Sequence, residues 1–192
     1  MICNLCPRNC GAERTETQSG GICGMSALPT AAKAMLHQWE EPCLVGEHGA
    51  GTVFFSGCNL RCCFCQNESI SQRSIGKPMT VSRLRDIFHE LIAQGAACLD
   101  LVTPTHFTPV ILEALGEEPW PVPVVWNSSG YEKPDTLRLL EGRVQVYLPD
   151  LKYALPSLAK QYSAAEDYFT WAYVTFANET LLKGKQVSGT VK

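Results

Sequence analysis

An α/β fold with a parallel sheet covered by helices is what this sequence predicts, and three observations carry the prediction. Short apolar runs alternate with amphipathic stretches, and this alternation is the signature of βαβ units. The turn after each run collects polar residues. The chain of 192 residues, 45% hydrophobic and 18% charged, is long enough to bury one sizeable core.

The first strand is the β-branched, aromatic run Thr52-Val53-Phe54-Phe55. Residues 80–94 place Leu84, Ile87, Phe88, Leu91 and Ile92 at i, i+3, i+4, i+7 and i+8, an amphipathic helix with Thr80 or Ser82 as its cap and Gly95 just past its end. Residues 98–102 read as the second strand. Thr108, Pro109 and Gly116 then supply the cap, first position and stop of a short helix. Residues 122–126 form the third strand, 134–141 a helix closed by Gly142, and 144–148 the fourth strand, after which 156–162 begin another helix. Upstream, residues 31–37 read as a short helix inside a Pro- and Gly-rich connector from 26 to 51. His37, Cys43 and His48 stand there at no ligand spacing and read as packing or surface. The domain organisation expected is 1–45 as a Cys-rich segment with its connector, 46–170 as the α/β body and 171–192 as a tail.

Ligands of parallel α/β folds gather at the carboxyl ends of the strands. The chain puts Cys58-Asn59-Leu60-Arg61-Cys62-Cys63-Phe64-Cys65 after the first strand, Thr103-Pro104-Thr105-His106 after the second, Asn127-Ser128-Ser129-Gly130-Tyr131 after the third and Asp150-Leu151-Lys152 after the fourth. Each alone is an ordinary turn; four in succession at one rim point to a site.

Cys58, Cys62 and Cys65, at C-x3-C-x2-C, suit a soft metal. Three thiolates with a fourth position left open suit an iron–sulfur cluster with one iron free. A closed zinc site using Cys63 is the first alternative, set against the difficulty of bringing adjacent cysteines to one tetrahedral ion. A disulfide is the second, set against the absence of a signal-peptide core after Met1-Ile2-Cys3-Asn4, which leads us to expect a cytoplasmic protein. A second constellation, Cys3-x2-Cys6-x3-Cys10-x12-Cys23, lies in a Gly-rich segment too short to build a core, so a metal is expected to supply its folding energy. A structural zinc knuckle and a second iron–sulfur cluster both fit four thiolates. The net charge of −3, without a basic run, argues against nucleic acid as partner, and no apolar stretch reaches bilayer-spanning length.

With Phe64 as its aromatic residue, the C-x3-C-x-aromatic-C loop resembles the defining motif of the radical S-adenosylmethionine (SAM) enzymes. The wider set of motifs resembles homologues of the pyruvate formate-lyase activating enzyme within them. That set comprises Cys-Asn-Leu-Cys-Pro-Arg-Asn-Cys-Gly, Gly-Ile-Cys-Gly, Thr-Pro-Thr-His-Phe, Asn-Ser-Ser-Gly-Tyr-Glu-Lys-Pro and Tyr-Leu-Pro-Asp-Leu-Lys-Tyr, and it covers about residues 1–169. The resemblance implies a partial (β/α) parallel barrel and a [4Fe-4S] cluster on Cys58, Cys62 and Cys65, with SAM on the open iron. It implies reductive cleavage of SAM to methionine and a 5′-deoxyadenosyl radical that abstracts hydrogen from a substrate. The electron would come from a donor such as flavodoxin or ferredoxin, and the substrate is open between a glycyl-radical partner protein, another protein to be modified and a small molecule. Phe64 would lie against the adenine, Asp150 and Lys152 would contact SAM, and Asn127 and Ser129 would line its ribose or methionine end. The plainer reading of Asp150 and Lys152 is a surface ion pair.

Two departures stand out. No Gly-Gly-Glu follows the second strand, where Thr103, Thr105 and His106 stand instead. Such relatives have six barrel strands against four clear ones here, and from about Trp171 the likeness ends. The expectation is either that the tail supplies a replacement strand or that the barrel is truncated at its C-terminus, the chain being a truncated or frame-shifted product. A metal-binding protein without catalysis is therefore the second functional expectation.

Overall fold

The computed structural model describes residues 2–183. In chain order the elements are β1 (Thr30–His37), α1 (Pro42–Val45), β2 (Ala50–Phe55), α2 (Glu68–Ser71), β3 (Lys77–Pro78), α3 (Val81–Ala93), β4 (Leu99–Val102), a 3-10 turn (Thr105–Phe107), α4 (Thr108–Leu115), β5 (Val124–Ser128), α5 (Pro134–Arg138), β6 (Val146–Pro149), α6 (Pro156–Ser163) and α7 (Tyr168–Lys183).

One six-stranded sheet runs in the order β3-β1-β2-β4-β5-β6. The four strands expected from their apolar runs are its parallel part, β2, β4, β5 and β6. β1 and β3 extend it on one side in antiparallel fashion. The sheet is open, so the fold is a mixed α/β arrangement and not a closed barrel. Residues 31–37 are a strand, contrary to the expected helix. Their Ala, Lys, Met and Leu favour a helix locally, but pairing along β2 from Ala31↔Phe55 to His37↔Ala50 prevails over that weak preference. The tail departs from expectation as well: α7 continues through Lys183 where a replacement strand was one option, and residues 184–192 lie outside the described residues.

Alternation along the parallel strands separates two faces. Val53, Phe55, Leu99, Leu101, Val124 and Trp126 meet Leu84, Phe88 and Leu91 of α3, Ile111, Ala114 and Leu115 of α4, and Leu137 of α5 in the main core. Thr80 caps α3 as expected, its hydroxyl accepting from Arg83 N–H at 3.1 Å. The opposite face carries Ala50, Cys98 and Val125 against Leu44 of α1. A second core joins Leu60 of the cysteine loop to Tyr131, Tyr153, Ala159 of α6, and Tyr168 and Ala172 of α7. Among the described residues no helix is long and apolar enough to cross a membrane.

Candidate metal centre

β2 delivers the chain to the rim at Phe55, and the next turn has to be tight. Gly57 has φ +79°, and a Cβ there would stand 2.4 Å from Met25 Cγ and 2.8 Å from Cys23 O, so glycine is required both by conformation and by the N-terminal segment packed against it. Three anchors then hold the loop. Leu60 is fully buried in the second core. Asn59, also buried, donates through Nδ2 to Tyr131 O at 2.8 Å. Gln72 Nε2 donates to Cys62 O at 2.8 Å.

Cys58, Cys62 and Cys65 stand on this loop, and the charges of Cys62 and Cys65 act on Cys58. Burial pushes the Cys58 thiol up, opposed by N–H groups of Arg61 and Leu60 that donate to its sulfur, the latter at 3.4 Å. Ser71 Oγ donates to Cys65 Sγ at 3.3 Å, and the Tyr153 hydroxyl, 2.6 Å from Ser163 Oγ, also reaches Cys62. Cys63 is exposed, and its N–H is bound to Tyr162 O at 2.8 Å. Soft sulfurs wrapped in N–H and O–H donors fit the ligation of an iron–sulfur cluster, whose thiolates take such hydrogen bonds. Among the described residues no three His, Cys, Asp or Glu side chains already converge on a single ion.

The Asp150 and Lys152 side chains form an ion pair at 2.6 Å. Burial alone would lower the Lys152 pKa, but the Asp150 carboxylate, with Cys62 and Cys58 behind it, holds it raised, so this cation stands beside the thiol loop. Phe64 is 58% exposed, its ring edge-on to Tyr153 and Tyr162 at centroid distances of 6.0 Å each. Ser129 is buried next to the loop, its hydroxyl 3.5 Å from Asn59 Oδ1. Gly130 lets that turn meet the end of β6, where a Cβ would stand 2.4 Å from Asp150 O. Asn127 turns elsewhere: its Nδ2 lies 3.5 Å from Glu40 Oε2, on the face that also holds buried Asp100. Burial and the Glu40 carboxylate push the Asp100 carboxyl above its usual range, and Thr52 Oγ1 donates to it at 3.2 Å.

Thr105 and His106 are committed to the scaffold. Thr105 Oγ1 donates to buried Glu132 at 2.6 Å, and His106 Nε2 lies 2.7 Å from Ser56 O. Burial lowers the His106 pKa to about 4 and raises that of Glu132 to about 7.

At the N-terminus the charges of the four cysteines also act on one another. Cys6 feels Cys3 and Cys23, Cys23 feels Cys3 and Cys10, and a Cβ on Gly21 would stand 2.7 Å from Cys10 Sγ. Burial raises the Cys6 thiol to about 12. Buried Arg14 places Nη1 3.5 Å from Cys3 Sγ and donates to Met25 O, Ser26 O and His106 O, which ties the segment to the body. Arg8 makes a second tie, to the cysteine loop. Spacing gave no hint of either arginine, because their partners are distant in sequence and are backbone carbonyls.

Comparison with known proteins agrees with this geometry. Residues 45–136 match the family model of a 4Fe-4S single cluster domain, a stretch that contains the Cys58 loop and none of the four N-terminal cysteines. The chain is 31% identical over 199 residues to an uncharacterized protein of Methanocaldococcus jannaschii, covering 96% of this chain and 54% of that one. It thus spans about half the length of the curated relative it matches. No solved structure matches. The single-cluster match and the thiol geometry together support iron–sulfur binding.

Proposed function

We propose that this chain is a radical SAM protein in which Cys58, Cys62 and Cys65 hold a [4Fe-4S] cluster with one iron left for SAM. The observation that carries the reading is a loop at the carboxyl ends of parallel strands that bears three thiols, with N–H and O–H donors on their sulfurs. Held by these three thiols, a [4Fe-4S] cluster would supply the electron for reductive cleavage of SAM and so the means of hydrogen abstraction from a substrate.

The protein's part is to hold and to shield. The exposed Phe64 ring offers a flat apolar surface to an adenine. Lys152 and Asp150, beside the thiols, offer a cation and a carboxylate to the charged amino-acid end or the ribose of SAM. Ser129 adds a polar group at the neighbouring strand end, whereas Asn127 turns to Glu40 and Asp100. The electron comes from a donor of the flavodoxin or ferredoxin kind, and an activase-like role on a glycyl-radical partner belongs to the same reading. The N-terminal cysteines hold zinc or a second cluster. A metal-binding protein without this catalysis is the second reading, favoured by the open sheet.

In anaerobically reconstituted protein with dithionite and SAM, 5′-deoxyadenosine is expected to form, and Cys58→Ala to abolish it. A variant that still cleaved SAM at the normal rate would overturn the assignment.

A further inference from the structure

Arg8 belongs by sequence to the N-terminal cysteines, between Cys6 and Cys10, yet its side chain serves the other group. Its Nε donates to Asn59 O at 2.8 Å and its Nη2 to Leu60 O at 2.9 Å. On its far side Nη2 donates to Ser163 O at 2.6 Å and Nη1 to Ala164 O, and the guanidinium lies 5.3 Å from the centre of the Tyr131 ring. Its backbone N–H meanwhile donates to Cys6. Arg8 therefore touches both thiol groups, one through the main chain and the other through the loop.

The two carbonyls it selects in the loop belong to particular peptide groups. Asn59 O shares its peptide with Leu60 N–H, and Leu60 O shares its peptide with Arg61 N–H. Those are the two N–H groups that donate to Cys58 Sγ. A cation bound at the carbonyl end of a peptide draws electron density from it and strengthens the hydrogen bond made at the N–H end. Hydrogen bonds to ligand sulfur stabilise the extra negative charge of a reduced cluster and so raise its reduction potential.

We infer that Arg8 is a positioning residue that tunes the loop cluster from outside: its guanidinium polarises the 59–60 and 60–61 peptides against Cys58 and makes the cluster easier to reduce. This rests on the reading that the Cys58 loop holds a [4Fe-4S] cluster.

The test is a redox titration, followed by electron paramagnetic resonance, of the reduced-cluster signal that Cys58→Ala lacks. It compares wild type, Arg8→Leu, Arg8→Lys and Lys133→Met. Lys133 Nζ donates to Asn4 O at 3.0 Å and to Asn9, so its loss weakens docking of the same segment without touching the loop. Iron and sulfide are counted in each sample first. At the wild-type midpoint the reduced-to-oxidised ratio is expected to fall about tenfold in Arg8→Leu, a midpoint shift of about 59 mV for a one-electron couple. Arg8→Lys should recover part of it, and Lys133→Met should leave it unchanged. Equal iron and sulfide with an unmoved midpoint in Arg8→Leu and Arg8→Lys would overturn the proposal, as would an equal shift in Lys133→Met. Absence of the signal in wild type would instead remove the cluster reading on which it rests.

Discussion

The Cys58 loop and the N-terminal run of Cys3, Cys6, Cys10 and Cys23 both gather thiols, but on different supports. The loop is fastened by a fully buried Leu60, by the hydrogen bond from Asn59 to the β5 turn, and by the end of a strand inside a six-stranded sheet. The N-terminal run has two isolated bridges, Ile2↔Glu13 and Gly20↔Met25, and depends on Arg8, Arg14 and Lys133 for its attachment. One group stands on a loop anchored in a core and at a strand end; the other lies in a segment held by short bridges and side-chain ties. On the proposed reading, a cluster that accepts SAM repeatedly needs the first kind of support, because its ligands cannot shift each time the open position is filled.

The largest effect that would sharpen this contrast is expected from Cys6→Ser. If the metal supplies the folding energy of the N-terminal run, its loss removes on the order of 10 kcal/mol from that segment. Amide hydrogen exchange should then rise across residues 2–25 while the β2–β6 sheet stays protected. Protection that persisted in the N-terminal run would erase the distinction. Leu60→Ala should act in the opposite region, costing about 2–5 kcal/mol as a core truncation. It should reduce iron incorporation at the loop with N-terminal exchange unchanged, read from denaturant unfolding and iron content together.

A smaller effect concerns the scaffold behind both groups. Glu132 holds its proton to about pH 7 in the folded protein against an ordinary 4.5, so between those values the folded state binds more protons than the unfolded chain. Stability from this residue is therefore full below 4.5 and declines as pH rises toward 7, by at most about 3 kcal/mol. Glu132→Gln should flatten that decline in melting temperature measured from pH 5 to pH 8. An unchanged slope would mean that Glu132 is not the group responsible.

The four parallel strands were legible because strands buried on both faces are nearly continuous apolar runs, as in Thr52-Val53-Phe54-Phe55. β1 was not, since Ala31, Ala32 and Ala34 with Met35 and Leu36 suit a helix, and only the neighbouring strand makes them extended. α7 was hidden for the converse reason. Tyr173-Val174-Thr175-Phe176 reads as strand, yet packing of Ala172 in the second core and the hydrogen bond from Thr175 to Gly130 O at 3.0 Å fix a helix. In the site, the cysteines stood out by spacing alone. The surrounding donors did not: Arg8 reaches carbonyls 51 and 52 residues onward, and side-chain identity carries no mark of so distant a backbone partner. Asn127 shows the limit of reading a rim from sequence, because adjacent strand positions face opposite sides and its side chain turns to Glu40.

The central claim, a [4Fe-4S] cluster on the Cys58 loop with one iron open to SAM, is met most directly by electron paramagnetic resonance of the anaerobically reconstituted, reduced protein with and without SAM. A [4Fe-4S] signal that shifts when SAM is added is the predicted result. A signal that forms and ignores SAM would contradict it, leaving an iron–sulfur protein whose cluster has no open iron for the cofactor.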